Sequence, residues 1–347
     1  MPIHKPTFTL SIGSLTSSTD NPLAGPVKFL VERDMDVAAD GLVVWLRERA
    51  EITPGDEVSL NLGHDNEQET VFSGNVVEVR PSITGVGIRI LGKQNALLKL
   101  RISAFYENQS CGAIARDFIS KAGLSAGEIS DGPTLSRFAV DNRRSAYAHL
   151  KGLGDRLGYE LYTDRFGKMM FHALGPAAGL DTIGGLASLA GGLISEGAEQ
   201  YTFGQHVIEA QTRKSQPAFG KIAVGGESPM SGQGDATSHW LSTNDTDYSG
   251  TAGDGSPTLW LRDAAARTKD IADRFAKGHL AIAEQRVYEI GIIVMGRPQV
   301  DLGESVSSSD LPDVLLNGQG YVRAIRHRFN SNSGFTTDLK ISVPVAA

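Results

Sequence analysis

The chain has 347 residues, 40% of them hydrophobic and 21% charged, with 40 glycines, only 7% aromatic residues and a formal net charge of -7. That length accommodates two or three domains with a sizeable core, and the acidic balance argues against a protein that grips phosphate backbones through clustered cations. The single cysteine, Cys111, excludes an internal disulfide and a cysteine-built zinc cage.

The first residues, Met1 to Pro6, show no basic stretch followed by an apolar run, so no secretory leader is expected and the chain is expected to start in the cytoplasm. Residues 1–104 then read as a β domain. Phe8 to Ile12, Val27 to Glu32 and Glu57 to Leu62 alternate between apolar and polar positions. The run Gly41 to Leu46 fits either a buried strand or a helix fragment, and its length favours the strand.

The period changes in residues 105–174. Between Asn108 and Ala122 the apolar residues Ile114, Ala115, Phe118, Ile119 and Ala122 recur at three and four, the spacing of one helical face. Gly123 is placed to end that helix, with Leu124 packing back over its last turn. A second helix is predicted from Ser145, an N-cap worth about 1 kcal/mol, through Leu150, Leu153 and Leu157 to Gly158. Tyr159 to Tyr162, the turn at Asp164 to Gly167 and Lys168 to Ala173 then read as a hairpin. The segment is therefore expected to be a small α/β module of two helices and a hairpin.

Residues 175–202 read as a Gly/Ala-rich linker. The stretch Gly175 to Gly197 is apolar, but Pro176, Asp181 and repeated glycines interrupt it, whereas a membrane span needs about 20 mostly apolar residues without such breakers. No membrane segment is expected, and a loop so apolar is expected to lie against protein. Strands return in residues 203–347, most clearly at Lys221 to Val224, Tyr288 to Met295, Tyr321 to Arg328 and Phe335 to Val343. A long Gly/Ser/Thr/Asp-rich loop is predicted over 227–257. An amphipathic helix is predicted over 263–277, with Ala264, Thr268, Ile271, Ala272 and Phe275 on one face.

One pattern occurs twice. Gly55-Asp56-Glu57-Val58, then Phe72 to Arg80, then Gly85 to Ile90 reads as glycine turn, strand, strand and a last alternating strand. Gly303-Glu304-Ser305-Val306, then Leu316 to Arg326, then Gly334 to Ile341 repeats it. A small β unit built twice, with other material between, implies pseudo-symmetry, and pseudo-symmetry serves assembly more readily than catalysis.

The residues that bear chemistry do not converge in the sequence. His206, His239, His279 and His327 lack a two-histidine metal spacing. The glycines of Gly184 to Gly192 precede no Gly-Lys-Ser or Gly-Lys-Thr, and no Gly-x-Ser-x-Gly elbow lies between a strand and a helix. Asp245, Asp247 and Asp254 fall in the predicted loop, where a rigid pair of opposed carboxylates is not expected. Cys111 follows Ser110 at a helix start, where the dipole lowers a thiol pKa, but the sequence offers it no base. Arg323, Arg326 and Arg328 alternate imperfectly along one strand and fit a channel, an interface or the solvated face of an edge strand. No catalytic, cofactor-binding or metal-ligating residue is assigned, no cofactor is expected, and the chain is not expected to be an enzyme.

Phe105 to Ser110 with Ile114 to Phe118 and Ala122-Gly123-Leu124, and Leu150 to Gly158 followed by Tyr159 to Tyr162, Asp164, Gly167 and Phe171, form an ordered set of motifs. Together with Gly296-Arg297-Pro298, Leu302 to Val306, Tyr321-Val322, His327 to Phe329 and Gly334 to Thr337, this set resembles the baseplate hub proteins of contractile-tailed phages, the late control protein D family, and the hub portion of type VI secretion spike proteins. The resemblance covers most of the chain from about 100 to 343.

It implies an α+β, mainly β fold with two tail-tube-like β-barrels, at 1–104 and 203–347, and the inserted α/β module. It further implies a homotrimer whose six barrels form a ring, adapting a six-fold tail tube to a three-fold spike. The expected partners are the tail tube or a tube-initiator protein, a separate spike protein and other baseplate components, with no specific nucleic-acid binding. The spike is expected on another polypeptide because the sequence ends four residues after Val343. The expected location is the cytoplasm during assembly, then a phage virion tail or injection particle. Two other readings stay open: a cell-wall-degrading hydrolase carried by such a machine, and a glycan- or receptor-binding module using the loop 227–257.

Overall fold

The computed structural model describes residues 5–20, 28–47, 51–65, 67–174, 199–226 and 249–344. The chain is mainly β with a minority of helix, as its turn-rich composition implies. The first strands are β1 (Pro6–Ile12), β2 (Leu15–Ser18), β3 (Lys28–Asp34), β4 (Gly41–Leu46), β5 (Glu57–His64), β6 (Glu67–Ser82) and β7 (Gly85–Gly92). The alternating apolar residues of β1, β3, β4 and β5 point inward. Phe8, Leu10, Phe29, Val31, Leu42 and Val44 are among the residues of one buried core. The Gly41 to Leu46 run is a strand, as its length indicated.

The last strands are β13 (Glu199–Thr202), β14 (Val207–Lys214), β18 (Tyr288–Met295), β19 (Ser305–Ser309), β20 (Gly318–Asn330) and β21 (Gly334–Ser342), around a second core that includes Tyr201, Ile290, Val306, Val322 and Ile341. Phe203, just past β13, bridges to Val207 across the turn that leads into β14.

The repeated pattern is a repeated structure. In the first unit the strand order is β5-β6-β7-β4-β3, and in the second it is β19-β20-β21-β18-β14, every pairing antiparallel. The backbone bonds at the entry turns match one for one. Gly55 N–H donates to Val76 O and Gly303 N–H to Val322 O, both at 2.8 Å, while Val76 N–H donates to Asp56 O and Val322 N–H to Glu304 O, both at 2.9 Å. Gly55 and Gly303 both have positive φ, the conformation that favours glycine. A register shift follows at the same place in each unit, between Val76 and Glu78 and between Val322 and Ala324. At Gly74 and Gly320 a Cβ would collide with a backbone carbonyl of the adjoining strand, Leu91 O and Ser342 O respectively.

The two units are one sheet. β20 pairs with β3, Ala324 opposite Asp34 through Asn330 opposite Lys28, so the sheet runs unbroken from β14 to β2. Phe329 and Phe335 of the second unit sit in the core of the first, with Phe329 about 5.5 Å from Phe8 and Phe29, ring centre to ring centre.

The α/β module comprises α1 (Asn95–Lys99), β8 (Ala104–Ser110), α2 (Cys111–Lys121), β9 (Ala126–Ile129), β10 (Thr134–Val140), α3 (Ala146–Leu157), β11 (Tyr159–Thr163) and β12 (Met169–Ala173). Ser110 and Ser145 cap α2 and α3 through their hydroxyls. The end of α2 carries both bonds of a Schellman turn, Gly123 N–H to Ser120 O and Leu124 N–H to Ile119 O. The hairpin β11–β12 forms as predicted, and β9 joins it in parallel. Asn108 belongs to β8, not to the helix, which begins at Cys111 beyond the Ser110 cap.

Several expected boundaries move. Residues 221–226 and 249–282, placed by sequence in the second barrel, pack into the module: Ile222, Val224, Ala252, Ala272 and Phe275 share a core with Ile114, Phe118, Leu150 and Leu157. They form β15 (Lys221–Gly226), β16 (Ser249–Ala252), β17 (Thr258–Asp263) and α4 (Lys269–Glu284). The cause is close packing of α4. Its Gly278 faces the backbone of Arg156 to Gly158, and Gly250 of β16 faces the backbone at Asp273.

The helix predicted over 263–277 is shifted to Lys269–Glu284, because Thr268 serves as its N-cap and Asp263 ends β17, its carboxylate accepting Ala265 N–H and pairing with Arg156. Leu97 and Ile102, inside the expected first barrel, also belong to the module core. Of the linker 175–202, residues 199–202 are the strand β13, and of the loop 227–257, residues 249–252 are the strand β16. The rest of the linker, and residues 227–248, lie outside the described residues.

Candidate assembly surface

The strand β20 carries the features that join the three parts of the molecule. Its inward positions are Arg323, Ile325, His327 and Phe329; its outward positions include Arg326 and Arg328. The three arginines singled out by sequence therefore separate. Arg326 and Arg328 stand on the solvent face, 2.6 Å from Glu32 and from Asp338, respectively. Arg323 is completely buried.

Arg323 reaches Glu160 of β11 at 2.7 Å, Asp36 of the β3–β4 turn at 2.9 Å and the side-chain oxygen of Gln285 at 3.3 Å. Burial works against its charge, but Glu160 and Asp36 outweigh that and hold its pKa above the ordinary arginine value. Burial likewise raises the Asp36 carboxyl, but Arg323, Arg286 and Lys340 together pull it well below the usual carboxylate range. Gln285 also donates to Leu174 O, and Ser342 Oγ donates to Gln285 O.

A second buried arginine lies on β3. Arg33 pairs with Asp301 at 2.6 Å, donates to Thr163 O at 2.7 Å and stands 3.6 Å from Asp40. Burial pushes the Asp40 carboxyl up, opposed by Arg33, while the Thr163 hydroxyl donates to it at 2.9 Å. Each cluster draws on both repeats and on the module. Once one partner is removed, a buried charge is left uncompensated, so such clusters hold a single arrangement of the parts.

Sequence reasoning missed Glu160, Asp36, Asp40, Asp301 and Arg33. The available signal was a carboxylate or arginine at an inward position of an otherwise alternating strand, as at Arg33 within Phe29-Leu30-Val31-Glu32-Arg33.

On the other side of the same sheet the surface is hollow. Solvent-facing residues of β14, β18, β21, β20, β3, β4 and β7 line one groove of about 650 Å³, Glu209, Arg326, Lys340, Glu32, Val43 and Arg89 among them. Its charges are largely matched in place: Lys340 lies within 4 Å of Asp34, Asp36 and Glu289, and Arg326 on Glu32. The groove spans both repeats and is centred on their joint.

The remaining sequence candidates lie apart. His206 accepts from Thr202 N–H, His279 sits on α4 where burial lowers its pKa, and His327 is buried beside Phe335. Burial, with Arg33 nearby, pushes the His327 pKa down to about 3. Cys111 is buried at the start of α2, and Asp254 is exposed in a turn. His239, Asp245, Asp247 and Gly184 to Gly192 lie outside the described residues. Among the described residues, no three of His, Cys, Asp and Glu are placed to hold a metal ion, and no helix is long and apolar enough to cross a membrane.

No family model and no curated protein matches the sequence. Solved structures do match the fold over nearly the whole chain. The 43 kDa tail protein of prophage MuSo2 from Shewanella oneidensis has a TM-score of 0.69 at 16% identity, covering 98% of this chain and 99% of that one. The tail protein from Neisseria meningitidis MC58 has a TM-score of 0.67 at 10% identity, with 98% and 96% covered. The E. coli c3393 protein, a type VI secretion component described as structurally similar to the T4 bacteriophage tail proteins gp27 and gp5, has a TM-score of 0.57 at 10% identity, with 97% and 77% covered. The chain therefore has the fold of phage tail proteins and of a type VI secretion component, the fold class that its sequence motifs imply.

Proposed function

We propose that the chain is a structural baseplate hub of a contractile injection machine. Three copies form a ring of six similar β units that adapts a six-fold tail tube to a three-fold spike. The observation that carries this reading is the repeated five-strand unit, matched down to the backbone bonds of its entry turn and joined within one chain through β20 and β3.

The two ends of the shared sheet differ in a way that suits an adaptor. At one end lie the tips of β6–β7 and β20–β21, equivalent hairpins present in both units. At the other end lie the β3–β4 turn and its counterpart between β14 and β18, which contains β15, β16, β17 and α4 of the module. A trimer thus presents six equivalent tips on one rim and three modules on the other. The tube or a tube initiator docks on the first rim and a separate spike protein on the second, with other baseplate components outside. The hollow, charge-matched sheet face turns toward the lumen, where paired charges leave passing cargo little to adhere to. The chain assembles in the cytoplasm and ends in a virion tail or injection particle, without catalysis of its own.

Native mass measurement of the purified chain, alone and with its tube protein, tests the reading. A trimer that nucleates tube assembly supports it. A chain that stays monomeric at micromolar concentration, with or without tube protein, contradicts it.

A further inference from the structure

The joint between the two repeats predicts the joint between two copies of the chain. Each repeat has one long strand shared by two neighbours. In the second unit, the first part of β20 pairs with β19 (Gly318 to Tyr321) and its far part, Ala324 to Asn330, pairs with β3. In the first unit, β6 pairs with β5 from Glu67 to Asn75. Its far part, Glu78 to Ser82, pairs only with β7 among the described residues. The strand equivalent to β3 in the second unit is β14, and among the described residues its stretch from Glu209 to Lys214 pairs only with β18. Among the described residues there is thus one half-strand where a β3-like strand is missing, and one β3-like strand without the half-strand it should join.

We infer that the open edge of β14 in one copy adds to the open far part of β6 in the next, repeating the β3–β20 joint between molecules. This deepens the ring reading and rests on it. A head-to-tail contact of this kind closes into a ring when the rotation per step divides the circle, and the step is the one already made inside each chain.

The register follows from the ladders. Val76 and Val322 are equivalent through their identical turn bonds, which makes Arg80 equivalent to Arg326 and Val79 to Ile325. Val44 and Ile292 are equivalent through the strands beside them, and their partners Phe29 and Ala210 make Glu32 equivalent to Arg213. Since Arg326 lies opposite Glu32 inside the chain, Arg80 lies opposite Arg213 of the next copy, and Val79 opposite Lys214. Glu78, which already accepts both hydrogen bonds of Arg80, is then diagonal to Arg213, within reach of a long side chain. Pro81 removes at most one backbone donor from the ladder.

Exposed apolar residues flank both edges. Ile83 is wholly exposed at the β6–β7 tip and falls opposite Ala210, beside the exposed Ile208, while the exposed Val314 and Leu315 lie by the other end of β14.

Cys111 is the chain's one cysteine and it is buried, so engineered thiols report cleanly. Oxidation of the full chain carrying Arg80→Cys and Arg213→Cys should give covalent trimers on a non-reducing gel. Each single variant should stop at the background of the parent, and so should Arg80→Cys combined with Arg143→Cys. Glu78→Arg should abolish trimers in native mass spectra, and Glu78→Arg with Arg213→Glu should restore them. A chain that is trimeric by mass but shows no covalent trimer with the paired cysteines overturns this joint and leaves the hub reading standing. Covalent ladders well beyond the trimer overturn ring closure, and a monomer under every condition overturns the joint and the hub reading together.

Discussion

The two repeats share a frame and differ in what interrupts it. In the first unit, β3 and β4 are joined by the short turn 35–40; in the second, the segment between the equivalent strands β14 and β18 supplies β15, β16, β17 and α4 of the module. They differ again at the residue skipped by the shared register shift, where the first unit has the half-buried Val77 and the second has the buried Arg323. In the proposed ring, the strand frame is what makes the units interchangeable. The insertion and the buried arginine belong to the half that must also hold the module.

The largest effect should separate these two positions. Glu160→Ala leaves Arg323 buried with its principal partner gone and should cost about 3–5 kcal/mol in denaturant unfolding. Val77→Ala, at the half-buried equivalent position, should cost about 1 kcal/mol or less. Equal losses would show that the buried cluster does not distinguish the repeats. Where the repeats agree, substitutions should agree as well. Gly74→Ala and Gly320→Ala each drive a methyl into the carbonyl of the next strand, and each should cost about 1–3 kcal/mol. A large loss at one and none at the other would break the equivalence.

A pH-dependent effect concerns His327, opposite Val31 at the joint. Its folded pKa is about 3, below the ordinary value of 6.5, because burial keeps the ring neutral. As pH falls through 6.5 the unfolded chain takes up a proton that the folded chain refuses. Stability should therefore decline by about 1.4 kcal/mol per unit between pH 6.5 and pH 3. Asp36 adds a loss further into acid, since its depressed carboxyl contributes stability above the unfolded pKa that disappears as pH falls through the folded one. His327→Gln should flatten the first part of that profile, and an unchanged slope would remove His327 as its source. The smallest effect should be local: Ser110→Ala and Ser145→Ala each remove a helix cap in the module, at about 1 kcal/mol apiece.

Local chemistry made much of this legible from sequence. The caps of α2 and α3, the Schellman turn at Gly123, the β11–β12 hairpin and the doubled glycine pattern all depend on neighbours a few residues away. The pairing of β20 with β3 does not, since it joins residues some 290 positions apart, and neither strand's alternation names its partner. Nor did the sequence place β15, β16 and α4 in the module, because an amphipathic face specifies that something covers it and not what does. The buried clusters were missed for a related reason: Arg33 and Arg323 look like ordinary outward charges until the register of their strands is known.

The central claim is that one chain supplies two equivalent segments of a ring, and the mass of the assembled particle tests it most directly. The account predicts a native mass of three chains, whose averaged image shows six similar β units around an open lumen. A monomer, or a ring in which only one unit per chain faces the lumen, would contradict it.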